Sequence, residues 1–175
     1  MASTYEKIAT TTLSSNQGTV TFSSIPQTYT DLRVIIKGGI ADGGFFIGFR
    51  VGNGSVNTGT IYSNQIIKEE TGALGSRYTG KTLGQFYDQG GNNDISYTMI
   101  ADFNDYSNTT TNKGWLSRGN SPTSGFVSAI VGKIGSTAAI NIIEIAECGM
   151  GGTGYFNYGN MLSGTTFTLY GIKAA

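Results

Sequence analysis

The sequence predicts an all-β fold: a single antiparallel β-sandwich, jelly-roll-like, with long polar loops. Three observations carry this. Apolar side chains recur at alternate positions in segment after segment, the period of a half-buried strand. Clusters of Gly, Ser, Thr, Asn and Pro bound those segments. There is no linker-like midpoint and no fixed-period repeat, so the 175 residues read as one domain, with residues 1–12 a candidate extended N-terminal arm.

The elements follow in order. Residues 18–25 alternate polar positions with Val20 and Phe22 and stop at Pro26. Over 31–38, Leu32, Val34 and Ile36 share one face, and Arg33 and Lys37 mark the other. Phe45, Ile47, Phe49 and Val51 form the next period-two set, and Tyr97, Met99, Ala101 and Phe103 another. Phe126 to Val131 is apolar on both faces and reads as a central strand. In Thr166 to Tyr170, Phe167 and Leu169 oppose three polar or amphipathic neighbours. Residues 137–148 are ambiguous, since Ala139, Ile142, Ile143 and Ala146 have helical spacing. Four β-branched isoleucines and Asn141 favour a strand, with a bulge where the apolar face switches between Ile142 and Ile143. Phe22, Leu32, Val34, Ile36, Ile130 and Leu169 are the expected core. Long polar stretches at 52–60, 71–80, 88–94, 104–125 and 149–164 are expected to be loops, a length that marks binding or packed surface.

Composition narrows the chemistry. Gly, Thr, Ser and Asn supply 79 of the 175 residues, and only 13% are charged. So little charge accompanies membrane or disordered segments, but no apolar run nears the ~18 residues of a spanning helix, and 18 Ile, 9 Phe and 10 Tyr are ample for a core. The lack of histidine removes Ser-His-Asp and Cys-His constellations and imidazole metal ligands. The single Cys148 can form neither an intramolecular disulfide nor a thiolate zinc site, and its apolar neighbours make it a core residue rather than a nucleophile. Eleven cations balance eleven anions, so no electrostatic footprint for nucleic acid is present. The first seven residues lack the apolar stretch of a signal peptide, so Sec export is not expected. Neither a cofactor nor a metal is expected, and an ordinary enzyme is disfavoured.

Gly75 to Thr82 satisfies the phosphate-loop expression GxxxxGK[ST]. That chemistry requires a buried strand before the loop and a helix after it. Here Lys68-Glu69-Glu70-Thr71 precedes, and Gly84 and Gly90-Gly91 follow, so the match reads as coincidence. The carboxylate pairs Glu69-Glu70, Asp102 with Asp105, and Glu144 with Glu147 are too near in sequence to face one another across a glycosidase cleft. The Asp88 to Asp94 and Asp102 to Asp105 segments match no Ca²⁺-loop spacing. Trp115, Tyr106, Tyr155, Phe156 and Tyr158 lie in Gly/Asn-rich surroundings. Rings on rigid loops anchor partners or stack on sugars, or else cap the ends of the sandwich; as a group they point to a contact surface.

Three stretches extend this reading. Thr21 to Leu32 (TFSSIPQTYTDL), Ser136 to Ile145 (STAAINIIEI) and Gly164 to Ile172 (GTTFTLYGI) resemble, in the same order, a family of virion proteins of tailed bacteriophages, abundant in phages of cyanobacteria and other marine bacteria. The resemblance implies a β-sandwich component of the particle, described variously as head decoration or tail fibre, and no catalytic residues. The region from about 40 to 120 matches nothing in that family.

The expectation is therefore a non-enzymatic protein that folds in the host cytoplasm and leaves in the virion. Its partners would be copies of itself, as a trimer that hides its edge strands, and the major capsid protein or other virion proteins, with no nucleic acid and no membrane. A capsid decoration or cement role is favoured over a short tail-fibre or receptor-binding role, because the chain shows no heptads for a trimeric shaft.

Overall fold

A computed structural model describes residues 4–40, 46–68, 75–88, 96–122, 125–149 and 155–173. They form fourteen strands and, among the described residues, no helix. In chain order these are β1 (Tyr5–Thr12), β2 (Thr19–Phe22), β3 (Asp31–Gly38), β4 (Phe46–Asn53), β5 (Ser55–Val56), β6 (Tyr62–Lys68), β7 (Ser76–Lys81), β8 (Gly84–Asp88), β9 (Tyr97–Asn104), β10 (Lys113–Ser121), β11 (Phe126–Ile134), β12 (Ile142–Gly149), β13 (Tyr155–Phe156) and β14 (Thr166–Ile172).

Two antiparallel sheets pack face to face. The larger runs β1-β14-β3-β9-β10-β11-β6-β7, and the smaller is built on β12 and β4, with β2 and β13 along one edge and β8 and β5 along the other. Setting aside β5–β7, β10, β11 and β13, the eight remaining strands pair first-eighth-third-sixth and second-seventh-fourth-fifth. That is the double Greek key of a jelly roll. The strands β10, β11, β6 and β7 extend the larger sheet beyond the framework, on the β9 side.

The alternation read from sequence sets the registers. Leu32, Val34 and Ile36 of β3 face inward opposite Phe103, Ala101 and Met99 of β9, and Phe167 and Leu169 of β14 join them. All six expected core residues are buried. At the centre of the sandwich, the Phe49 ring lies 4.9 Å from Phe103, 5.0 Å from Phe86, 5.1 Å from Trp115 and 5.9 Å from Tyr62. The contacts with Phe103, Trp115 and Tyr62 are edge-to-face, and pairs of that kind add about 0.5–1.5 kcal/mol each beyond area burial.

Four expectations need correction. Residues 137–148 contain the strand β12, but its register against β4 is continuous from Ile142 to Cys148, without a bulge. Both faces of β12 are covered: Ile143 and Ile145 lie in the main core, while Ala146 and Cys148 lie under Phe46, Leu83 and Phe156, so the face switch needs no backbone irregularity. The 104–125 stretch holds the nine-residue strand β10, and 71–80 holds most of β7. Strand β11 has neighbours on both edges but is buried on one face only, with Val127 and Val131 turned to solvent. Finally, Tyr5–Thr12 is not an arm. It pairs along its length with β14, where Thr10 and Thr12 bond the hydroxyls of Thr168 and Thr166 at 3.3 and 3.0 Å and Lys173 bonds Glu6 at 2.7 Å. Phe45 of the third predicted strand lies outside the described residues, as do the segments 89–95 and 69–74.

Candidate contact surface

The five aromatic residues singled out in the sequence separate into two groups. Trp115 and Tyr106 are buried, so neither offers a surface. Trp115 points inward from β10, donates its indole N–H to the Gln85 carbonyl at 3.2 Å, and lies across Gly132 of β11, where any side chain would collide with the ring. Tyr106 follows β9 and closes one end of the core, its hydroxyl donating to the Pro26 carbonyl and its own carbonyl accepting from Ile140 N–H at 2.9 Å. Both rings reach partners distant in sequence, which their polar neighbours do not reveal.

Tyr155, Phe156 and Tyr158 stay together at the edge of the smaller sheet. β13 pairs with the end of β12, Tyr155 opposite Gly149 and Phe156 opposite Cys148. Asn157 then takes the left-handed conformation (φ 61°), which Asn tolerates better than most residues. The Tyr158 amide donates to the Glu147 carbonyl at 3.1 Å. This turn sets the two tyrosine rings 6.1 Å apart at an interplanar angle of 38°, 63% and 56% exposed. Phe156 is half-buried and anchors the turn: it packs on Phe46, Leu83, Ala146 and Cys148, and the Arg50 guanidinium sits 4.2 Å from its ring centroid. Arg50 is itself held by the Thr82 carbonyl at 3.1 Å. The result is a pair of accessible rings on a supported turn, an arrangement suited to stacking or to anchoring a partner.

The remaining candidates are structural. Cys148 is buried beneath Leu83, donates weakly to the Ala146 carbonyl, and has its thiol pushed up to about 12, by burial first and by neighbouring Glu147 second. It is a core residue, as expected, and not an activated nucleophile. Gly75–Thr82 runs as strand β7 on the edge of the larger sheet and the turn after it, so its amides belong to a β-ladder with β6 and not to a phosphate cradle at a helix N-terminus. Asp102 is clamped by Arg33 through two N–H bonds of 2.6 and 2.9 Å. Glu144 and Glu147 sit on opposite faces of β12 and do not confront one another. Among the described residues no group of three or more acidic or Cys side chains is placed to hold a metal.

Inspection of the sequence missed a second set of exposed apolar side chains, Ile67, Leu116, Val127 and Val131, at 61, 42, 48 and 57% exposure on the outer face of the larger sheet. The signal was the run Phe126 to Val131: apolar on both faces, it implies either full burial or an apolar outer surface.

No protein-family model matches the chain, and no curated protein does. Among solved structures, CG-16, a homodimeric agglutinin from chicken liver, is similar over 85% of this chain and 98% of its own, at 8% identity and a TM-score of 0.33.

Proposed function

We propose that the chain is a non-enzymatic structural protein of a tailed-phage virion, a trimeric capsid decoration or cement protein that assembles in the host cytoplasm. The observation that carries the reading is the exposed Tyr155–Tyr158 pair on its Phe156–Arg50 support. Rigid aromatic side chains presented at low entropic cost are the residues that dominate protein–protein contacts. The virion part of the reading is supported by the three family-like stretches, which fall on β2, β3, β12 and β14 and the loops that join them, framework strands of the jelly roll. A cement protein binds a lattice through many copies of one weak contact, so avidity replaces charge steering, in keeping with the zero net charge. Major capsid protein is the partner this reading names.

The same ring pair also suits a tail-fibre head that stacks on a host glycan, and copy number separates the two. Hundreds of copies per particle, scaling with the major capsid protein, agree with cement; a few to a few tens agree with the tail and overturn cement. Light scattering at micromolar concentration is expected to give a trimer. A Tyr155→Ala/Tyr158→Ala variant is expected to fold and to lose binding to purified particles. A monomer that fails to bind particles would overturn the proposal.

A further inference from the structure

The four strands added to the jelly-roll framework carry the exposed aliphatic side chains. Ile67 is on β6, Leu116 on β10, and Val127 and Val131 on β11. The register makes them contiguous: Leu116 is directly opposite Val131, and Ala129, two residues from each valine, is opposite Ile67. Ile100 of β9, opposite Arg118, continues the patch toward the framework.

The charges on this part of the face have one sign. Among the described outward side chains of β6, β7, β10 and β11, those that are ionisable are Arg77, Arg118 and Lys133, all exposed. The neighbouring carboxylate, Asp102 of β9, is already held by Arg33. Two shallow depressions mark this part of the sheet, one across β9, β10 and β11 and the other across β11, β6 and β7. One, of about 300 Å³, sets Arg118 beside Val127 and Ile100; the other, of about 280 Å³, sets Arg77 and Lys133 beside Val131. Each therefore offers cationic and aliphatic groups together.

We propose that the outer face of these added strands docks a different protein, one that presents an apolar ridge with carboxylates on either side. The ridge would cover Leu116, Val131 and Ile67, and the carboxylates would enter the two depressions. Four strands at ~4.8 Å spacing and about eight residues at ~3.3 Å rise make a face of roughly 500 Å², or about 1,000 Å² counted over both partners, the size of a transient interface and not of a permanent one. A second copy of this chain is a poor occupant. A two-fold contact sets the patch against itself, where, among the described residues, Arg77, Arg118 and Lys133 would find cations and aliphatic groups but no free carboxylate, and like charges across an interface cost several kcal/mol. Nucleic acid fits no better, since the centre of the face offers aliphatic groups in place of rings for bases to stack on. The surface belongs to the sheet opposite the Tyr155–Tyr158 pair and stands independently of the virion proposal.

The test is a nuclear magnetic resonance titration of the full ¹⁵N-labelled chain. The probes are a short peptide of alternating Asp and Leu, the same peptide with Lys for Asp, oligo-Asp, and single-stranded DNA. Shifts confined to β6, β7, β10 and β11 and caused by the Asp–Leu peptide alone are expected. Affinity should fall at least about tenfold in Arg118→Glu/Lys133→Glu and again in Leu116→Ser/Val131→Ser, and should weaken with salt. Equal binding of oligo-Asp or DNA would reduce the face to a charge effect and overturn the proposal. So would concentration-dependent self-association that the same variants abolish, or no binding of any probe.

Discussion

Gly132→Ala is the sharpest test of how the added strands are joined to the core. A methyl at that position would overlap three carbons of the Trp115 six-membered ring by more than about 1 Å relative to an ordinary ~3.5–4.0 Å carbon contact. The indole cannot step aside: it is 1% exposed, Phe49 meets it edge-on at 5.1 Å, and its N–H is tied to the Gln85 carbonyl. Overpacking costs ~1–3 kcal/mol, and an immobile ring places this site toward the upper end. Alanine also restricts the unfolded chain, worth ~0.4–1 kcal/mol in the opposite direction. The net loss is therefore about 2 kcal/mol, or roughly 4–8 °C in Tm for a domain of this size. Gly114→Ala on the partner strand is the control, because its methyl would meet only the Gly132 carbonyl oxygen, at 3.7 Å. Thermal unfolding of both variants, and of Gly132→Ala combined with Trp115→Phe, reads the contact directly. The smaller ring should recover part of the loss, as a coupling of about 1 kcal/mol. If Gly132→Ala melts at or above Gly114→Ala, the reasoning about Trp115 is wrong.

Two further predictions concern the buried groups and the divided aromatic set. The Cys148 thiol and the Tyr62 hydroxyl are both pushed up to about 12, chiefly by burial. The folded state therefore holds their protons more tightly than the unfolded one, and the stability they contribute is complete below about pH 9 and lost as pH rises toward 12. Urea midpoints across that range should fall less steeply for Cys148→Ala, with the decline starting nearer pH 10; an unchanged profile would contradict the thiol's burial. Trp115→Ala should cost ~3–5 kcal/mol, whereas Tyr155→Ala should stay within about 0.5 kcal/mol of the parent. Equal effects in urea titrations would undo the separation of core ring from surface ring.

The framework strands are legible in the sequence because each contrasts its two faces. Leu32-Arg33-Val34 and Tyr97-Thr98-Met99 state their burial residue by residue, and β3 and β9 begin and end close to where that contrast does. Strand β10 is silent because its inward positions are Lys113, Trp115, Ser117 and Ser121. Partners from other parts of the chain help to accommodate these polar groups: the Lys113 ammonium reaches the Thr137 carbonyl at 3.1 Å beside the local Thr111 carbonyl at 2.9 Å, and the Ser117 hydroxyl reaches the Gln85 carbonyl at 3.3 Å. Local hydrophobicity cannot report a hydrogen bond supplied by β8. The same blindness placed Trp115 and Tyr106 on the surface. Tyr155 and Tyr158 were legible because, among the described residues, no distant element covers them, and their Gly- and Asn-rich neighbours in sequence reflect that exposure.

The pairing order has a consequence for biosynthesis. β14 lies between β1 and β3, and β12 lies between β2 and β4; the Thr10–Thr168 bond spans 158 positions. As the chain leaves the ribosome, at ~5–20 residues per second, β1 and β2 have no ladder partner, and β3 and β4 are paired along one edge only. The larger sheet lacks the strand that joins β1 to β3 and the smaller one the strand that joins β2 to β4, which leaves open backbone edges on all four until residues 142–172 have been made. Such edges recruit other chains, and nascent copies on one message are the nearest available. The last thirty or so residues of the sandwich thus act as its fastener, and a chain cut short before Ile142 is expected to aggregate instead of forming a smaller domain.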